Sequence, residues 1–226
     1  MPLSIIILAA GQGTRMRSGM PKVLHGLGGR PLLAHVIETA RTLDSTDIHV
    51  VIGHGAEQVQ SAFHDPDIHW VVQEQQLGTG HAVAQVMPAI ADDHNVLVMY
   101  GDVPLISTAT LEPLCVTAEQ GFVGLLTAEL EDPTGYGRIL HHADGSISGI
   151  VEEKDASVTQ RAIAEINTGF MAAPAGRLRH WVGALDNDNA QGEFYLTDVI
   201  ARAVTDGVSV RGISAVNLEE VLGIND

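Results

Sequence analysis

The chain has 226 residues, 45% hydrophobic and 18% charged, which suits one packed α/β domain (residues 1–226) and excludes a disordered chain. Acids number 28 against 12 Lys and Arg, and the net charge of −16 argues against binding nucleic acid or an anionic membrane surface, both of which call for massed cations. The imbalance is local, however: no Asp or Glu precedes Glu38, whereas Arg15, Arg17, Lys22 and Arg30 all do, so an acidic protein can still hold a positive pocket for a small anion.

In chain order, residues 4–10 form an apolar, β-branched run that ends at Gly11, as a buried parallel strand should. Residues 31–43 place Leu32, Leu33, Val36, Ile37, Ala40 and Leu43 at helical spacing behind Pro31. Strand 49–52, helix 56–63, strand 69–73, helix 79–91 and strand 95–100 follow. This strand–helix rhythm predicts right-handed βαβ units and a mostly parallel sheet. Ligands of such sheets sit beyond the carboxyl ends of the strands, where Gly11, Gln73 and Asp102 fall. After about Gly121 the rhythm changes. Segments 124–130, 137–140, 147–152 and 167–172 are strand-like and separated by turn residues such as Pro133-Thr134-Gly135 and Asp144-Gly145, so a lobe with antiparallel additions is expected. Helices return at 175–185 and 196–204, and residues 208–213 look like a last strand. His141-His142 reads as a turn. Cys115 is the one cysteine, so no intramolecular disulfide can form, and its neighbours Leu114 and Val116 point to a packed thiol. There is no signal-peptide layout and no apolar run of membrane-spanning length, so a reduced cytoplasm is the expected setting.

The loop Gly11-Gln12-Gly13-Thr14-Arg15-Met16 directly follows the first strand. The dinucleotide fingerprint needs Gly where Met16 stands, and the Walker A pattern needs Gly-Lys-Ser/Thr, so neither fits. Glycine still lets backbone N–H groups approach an anion, Arg15 adds a charge, and Pro21 stiffens the chain before Lys22. The run Leu8-Ala9-Ala10-Gly11-Gln12-Gly13-Thr14-Arg15-Met16 with Pro21-Lys22-Val23-Leu24 resembles the signature of the sugar-1-phosphate nucleotidyltransferases. Among these the chain most resembles the uridylyltransferase domain of the bifunctional bacterial enzymes that make UDP-N-acetylglucosamine. The likeness covers nearly the whole chain and includes residues 73–82, Tyr100-Gly101-Asp102-Val103-Pro104-Leu105, residues 132–138, Glu165-Ile166-Asn167-Thr168-Gly169 and Gln191-Gly192-Glu193.

The resemblance implies a Rossmann-like nucleotide-diphospho-sugar transferase fold with an added antiparallel sugar-binding lobe. It also implies Mg²⁺-dependent transfer of UMP from UTP to N-acetylglucosamine 1-phosphate, giving UDP-N-acetylglucosamine and pyrophosphate for cell-wall precursors. Lys22, Arg15 and Asp102 would be catalytic, Lys22 at the α-phosphate and Arg15 at the leaving phosphates. Asp102 and Asn225 would hold the metal. Leu8, Ala9, Ala10, Gly11, Lys22, Gln73, Gly78, Thr79, Tyr100, Gly101 and Asp102 would bind the nucleotide, with the Gln73 amide pairing an edge of uracil. Gly137, Glu152, Asn167 and Asn225 would bind the sugar, with Tyr195 and Thr197 weaker candidates on the same wall. Taken singly, Asp102 is a turn cap, Thr79 a helix N-cap, Tyr195 packing, and Lys22 and Arg15 solvated charges. The bifunctional enzymes continue into a β-helix of hexapeptide repeats, which transfers an acetyl group and forms their trimer. No such repeat occurs here, so neither property is expected. A sibling enzyme with another nucleotide or sugar, or a non-catalytic sugar-nucleotide-binding subunit, is the alternative.

Overall fold

The computed structural model describes residues 1–11 and 19–224. The first half is β1 (Leu3–Ala9), a 3-10 turn at Lys22–Leu24, the short pair β2 (Gly26–Leu27) and β3 (Arg30–Pro31), α1 (Leu32–Arg41), β4 (Asp47–Ile52), α2 (Ala56–Ala62), β5 (Ile68–Val72), α3 (Thr79–Val86) and β6 (Asn95–Tyr100). The second half is α4 (Thr108–Glu119), β7 (Val123–Glu129), β8 (Arg138–His141), β9 (Ile147–Val151), α5 (Val158–Arg161), β10 (Glu165–Pro174), α6 (Ala175–Gly183), α7 (Asp198–Thr205) and β11 (Val210–Ser214), then a 3-10 turn at Leu218–Val221.

One sheet runs in the order β11-β7-β10-β6-β1-β4-β5, with β8 beside β10 and β9 beside β8. β1 is parallel to both β4 and β6, and β4 to β5. The antiparallel part is β10 against β6, β7 and β8, and β8 against β9. β11 lies parallel to β7, so the last strand is not one of the antiparallel additions.

The sheet is covered on both faces, which is why its strands read as continuous apolar runs. Alternation along β1 shows how: Ile5 and Ile7 pack with Leu33, Val36 and Leu111, whereas Ile6 and Leu8 pack with Val83, Leu178 and Ile200. Each face thus buries one stripe of several helices.

The helix expected over 79–91 stops at Val86 and tightens to 3-10 geometry at Met87–Ala89, because Pro88 cannot donate the next helical bond. α4 was not foreseen, since Pro113 stands inside it. Ser107 accepts from the Thr110 amide as N-cap, and Leu111, Leu114 and Ala118 are buried. Cys115 on this helix is partly buried, and burial first of all pushes its thiol up to about 11; Val116 is exposed and does not share that packing. His141 ends β8 and pairs with Glu165, with the turn starting at His142. No helix among the described residues is long and apolar enough to cross a membrane.

Candidate active site

β1 is the strand at which the chain switches direction across the sheet, with β4 on one side and β6 on the other. A crevice therefore opens beyond the carboxyl ends of these strands. It is a cleft of about 480 Å³. Leu8, Ala9, Ala10 and Gly11 run along it as β1 ends, and Lys22, Tyr100 and Asp102 lie beside them. Gln73, Gly78 and Thr79 line the other end. Ten of the expected nucleotide residues therefore come together from four separated stretches of chain. Gly101 differs: it is buried under the floor, where a Cβ would meet Ala9, Leu33 and Val23 at 3.2 Å. Its role is to let the β6 loop lie close to β1, and its amide donates to the Leu8 carbonyl at 2.9 Å.

Lys22 Nζ lies 2.5 Å from Asp102 Oδ2, with the two side chains only 14% and 26% exposed. The aim of Lys22 is set on both sides. Val23 is buried in the core, and Pro21 packs so tightly on Gly55 that a Cβ there would fall 2.5 Å from Pro21 Cγ. Asp102 is held through its backbone as well, its carbonyl accepting from the Ile224 amide at 3.0 Å. Val221 is buried, so residues 218–224 are anchored against the Asp102 loop. Arg15 and Asn225 lie outside the described residues.

Gln73 is 4% exposed. Its Nε2 donates to the Gly78 carbonyl at 3.0 Å and sits 2.9 Å from His81 Nδ1. Nε2 is thus held on the protein side, and Oε1, which makes no bond among the described residues, is the group left for a ligand. Thr79 is not the N-cap of α3; Gly78 is, at φ 107°, and the Thr79 hydroxyl accepts from the Leu196 amide at 3.1 Å. The segment 194–196 is laced to this loop, with Phe194 N donating to Leu77 O and Gly80 N to Phe194 O, both at 2.8 Å. Val23, Gln76, Ala82 and Glu193 also line the cleft. Gln76, Ala82 and Glu193 stand inside motifs that carried the resemblance, so position within a motif was the signal for them. Val23 likewise stands in the Pro21-Lys22-Val23-Leu24 motif.

The proposed sugar wall adjoins the cleft through Tyr100. Its ring lies against Gly169, at φ 96°, where a Cβ would fall 2.4 Å from Tyr100 Cε2. Burial first, then the charges of Glu152 and Asp102, raise the Tyr100 phenol above its ordinary value. Arg138 pairs with Val151 on one side and Ile166 on the other. One step further along this ladder stand Glu152, Gly137 and Asn167, in a single row. Asn167 N donates to Gly137 O at 2.8 Å, and both Glu152 carboxyl oxygens lie 3.5 Å from where a Gly137 Cβ would stand. Burial raises the Glu152 carboxyl, the nearby charges of Asp198 and Asp155 add to the rise, and the Thr197 hydroxyl, donating to Oε1 at 2.8 Å, opposes it. Asn167 Oδ1 accepts from Gly169 N at 3.0 Å, which leaves its Nδ2 as the donor. Tyr195 is buried, its hydroxyl donating to Asp155 at 3.2 Å, as packing would have it.

Residues 5–142 match the MobA-like NTP transferase domain family. The chain belongs to that family. Within this NTP transferase family the chain is 58% identical over 224 residues to the bifunctional protein GlmU of Alkalilimnicola ehrlichii, covering 99% of this chain and 48% of that protein. It is 58% identical over 226 residues to the bifunctional protein GlmU of Pseudomonas entomophila, covering 100% of this chain and 50% of that one. The chain thus spans about half the length of these curated relatives. A solved UDP-glucose pyrophosphorylase complexed with UDP-glucose shares the fold of this NTP transferase, with a TM-score of 0.76 at 16% identity over 91% of this chain and 88% of that one.

Proposed function

We propose that the chain transfers UMP from UTP to N-acetylglucosamine 1-phosphate, giving UDP-N-acetylglucosamine and pyrophosphate. The observation that carries this reading is the Lys22–Asp102 pair, which lies in the same cleft as Gln73, with the Glu152–Gly137–Asn167 row adjoining it across Tyr100. The likeness to GlmU over the whole chain supports it.

The sugar phosphate is largely dianionic near neutrality, its second pKa being about 6, so it needs no general base. One of its oxygens forms a bond to the α-phosphorus of UTP. The bond from that phosphorus to the bridging oxygen breaks, and the electron pair leaves with pyrophosphate. The protein has to hold two anions in line and neutralise the charge that gathers. The Lys22 ammonium has three N–H donors, so it can reach the α-phosphate beside Asp102, whose carboxylate is placed to share a cation with the triphosphate. Gln73 Oε1 accepts from the uracil imide N–H, an edge that cytosine lacks. Glu152 accepts hydroxyl protons of the sugar, and Asn167 Nδ2 donates to a sugar oxygen.

Asp102, with Asn225, would hold Mg²⁺, which supplies charge neutralisation at the phosphates. The residues present suit this ion. No group of three His, Cys, Asp or Glu that could hold a metal occurs among the described residues, and Mg²⁺ is commonly held by one or two carboxylates together with substrate phosphates and water.

The test is pyrophosphate release over a matrix of nucleoside triphosphates and sugar 1-phosphates. UTP with N-acetylglucosamine 1-phosphate should give the highest kcat/KM. Equal turnover with CTP or dTTP, or with glucose 1-phosphate, would overturn the substrate assignment, and nucleotide binding without turnover on any pair would favour a binding subunit.

A further inference from the structure

Arg138 is the largest buried charge of the described chain and is 1% exposed. Its Nε donates to Ile163 O at 3.1 Å and its Nη2 to Arg161 O at 3.3 Å, Nη1 bonds the Tyr136 carbonyl, and Nη2 lies 2.8 Å from Glu153 Oε2. A buried guanidinium placed this way joins segments that no sheet ladder joins. It holds the turn 133–137 by Tyr136, the end of β9 by Glu153 and the α5 segment by Arg161 and Ile163. Glu153 also accepts from Gly135 N at 3.3 Å, and so grips the same turn from its other side.

The placement matters because of what stands next to each partner. Arg138 follows Gly137, Glu153 follows Glu152, and Arg138 lies across from Ile166, which precedes Asn167. Side chains alternate along a strand, so Ile166, across from Arg138, and Asn167, the next residue of β10, project to opposite faces. β9 ends at Val151, which leaves Glu152 beyond the last ladder pair. The Arg138–Glu153 bond spans the step beyond that last pair, with Glu152 in between, while the Thr197 hydroxyl holds the Glu152 carboxylate itself.

We propose that Arg138 and Glu153 are positioning residues for the sugar 1-phosphate: they set the spacing of the Glu152–Gly137–Asn167 row, and hence affinity for the sugar phosphate but not for the nucleotide. This rests on the uridylyltransferase reading given above. Glu153 is on the rim, so Glu153→Gln leaves the fold standing while weakening the clamp. Arg138→Lys keeps a buried cation but loses the planar fork.

The full chain is assayed for KM of each substrate, for UTP binding by calorimetry and for ligand-free Tm. Glu153→Gln should raise KM for N-acetylglucosamine 1-phosphate about tenfold, the scale of one charge-assisted hydrogen bond, with UTP affinity and kcat within about twofold. Glu153→Asp should recover part of the loss. Arg138→Lys should show the same split, and the double variant should be no worse than Arg138→Lys alone. A rise in both KM values in step with a fall in Tm would overturn the proposal, as would an unchanged sugar KM. A wild type that binds UTP but turns over a different sugar 1-phosphate would instead overturn the substrate reading, and the same split would then be measured with that sugar.

Discussion

In the proposed nucleotide half of the cleft, the lining groups hang from the ends of parallel strands or the loops just after them: Gly11 after β1, Gln73 after β5, Asp102 after β6. In the proposed sugar half they sit at and just past the rim of an antiparallel ladder, where the register of β9, β8 and β10 brings Glu152, Gly137 and Asn167 to one level. The first arrangement lets each contact be written in a short contiguous motif on its own loop. The second makes the contacts depend on one another, since a slip of one residue turns every side chain to the other face. The match to the MobA-like family ends at residue 142, just after β8, so the two halves also differ in how far that family describes them. The joint between them is Tyr100, which ends β6 on the nucleotide side and lies on Gly169 of β10 on the other.

The largest effects should come from the ion pair. Lys22→Ala should lower kcat about 100-fold or more with little change in KM for UTP, because the contact strengthens as charge builds at the α-phosphate. Asp102→Asn should cost about 100-fold or more, about 1.4 kcal/mol being a factor of ten, with part of the loss recovered at high Mg²⁺. Steady-state kinetics over a Mg²⁺ titration reads both; near-normal turnover in either variant would break the nucleotide side of the comparison.

Next come the two glycines that carry the close approaches. Gly78→Ala sets a Cβ 2.6 Å from the Phe194 carbonyl, and Gly169→Ala sets one 2.4 Å from the Tyr100 ring, both at positive φ. Each should cost about 2 kcal/mol or more, a fall in Tm of about 4–8 °C. Gly78→Ala should raise KM mainly for UTP, and Gly169→Ala mainly for the sugar phosphate. Identical kinetic profiles would mean that the halves are not separable.

A smaller effect is expected at Gln73. Since Nε2 is engaged by Gly78 and His81, discrimination rests on Oε1 alone, and Gln73→Ala should reduce the UTP-over-CTP ratio of kcat/KM about tenfold. An unchanged ratio would remove Gln73 from base recognition.

The smallest effect is on stability. The Glu152 carboxyl is raised in the fold, chiefly by burial, so the folded chain holds a proton that the unfolded chain has released between the unfolded and folded values. Stability falls as pH rises through that window. Glu152→Gln removes the cost and should raise ligand-free Tm by about 1–3 °C at pH 7, with the gain vanishing below about pH 4. The same variant should raise KM for the sugar phosphate, the exchange expected where a functional group is kept at a cost to the fold. Calorimetric melts at the two pH values, set beside the kinetics, check both signs.

The parallel half was legible because burial on both faces forces continuous apolar runs, and the glycines, Pro21 and Asp102 mark the strand ends that such a sheet uses for ligands. From periodicity alone the sequence determined β6 to the residue, the α/β class and the change of rhythm near Gly121. Its motifs named ten of the residues that line the cleft. Tertiary structure decided the rest. α4 stayed hidden because Pro113 breaks the local pattern while packing of Leu111, Leu114 and Ala118 holds the helix. The parallel pairing of β11 with β7, the donor of Gln73 spent on Gly78, and the bond from Thr79 to Leu196 all join residues with no local signal of their partners. Arg138 shows the limit most plainly. In the sequence it is one more cation after a turn. Only the fold removes it from water and so obliges Tyr136, Arg161, Ile163 and Glu153 to gather around it, because a buried charge left unpaired costs several kcal/mol.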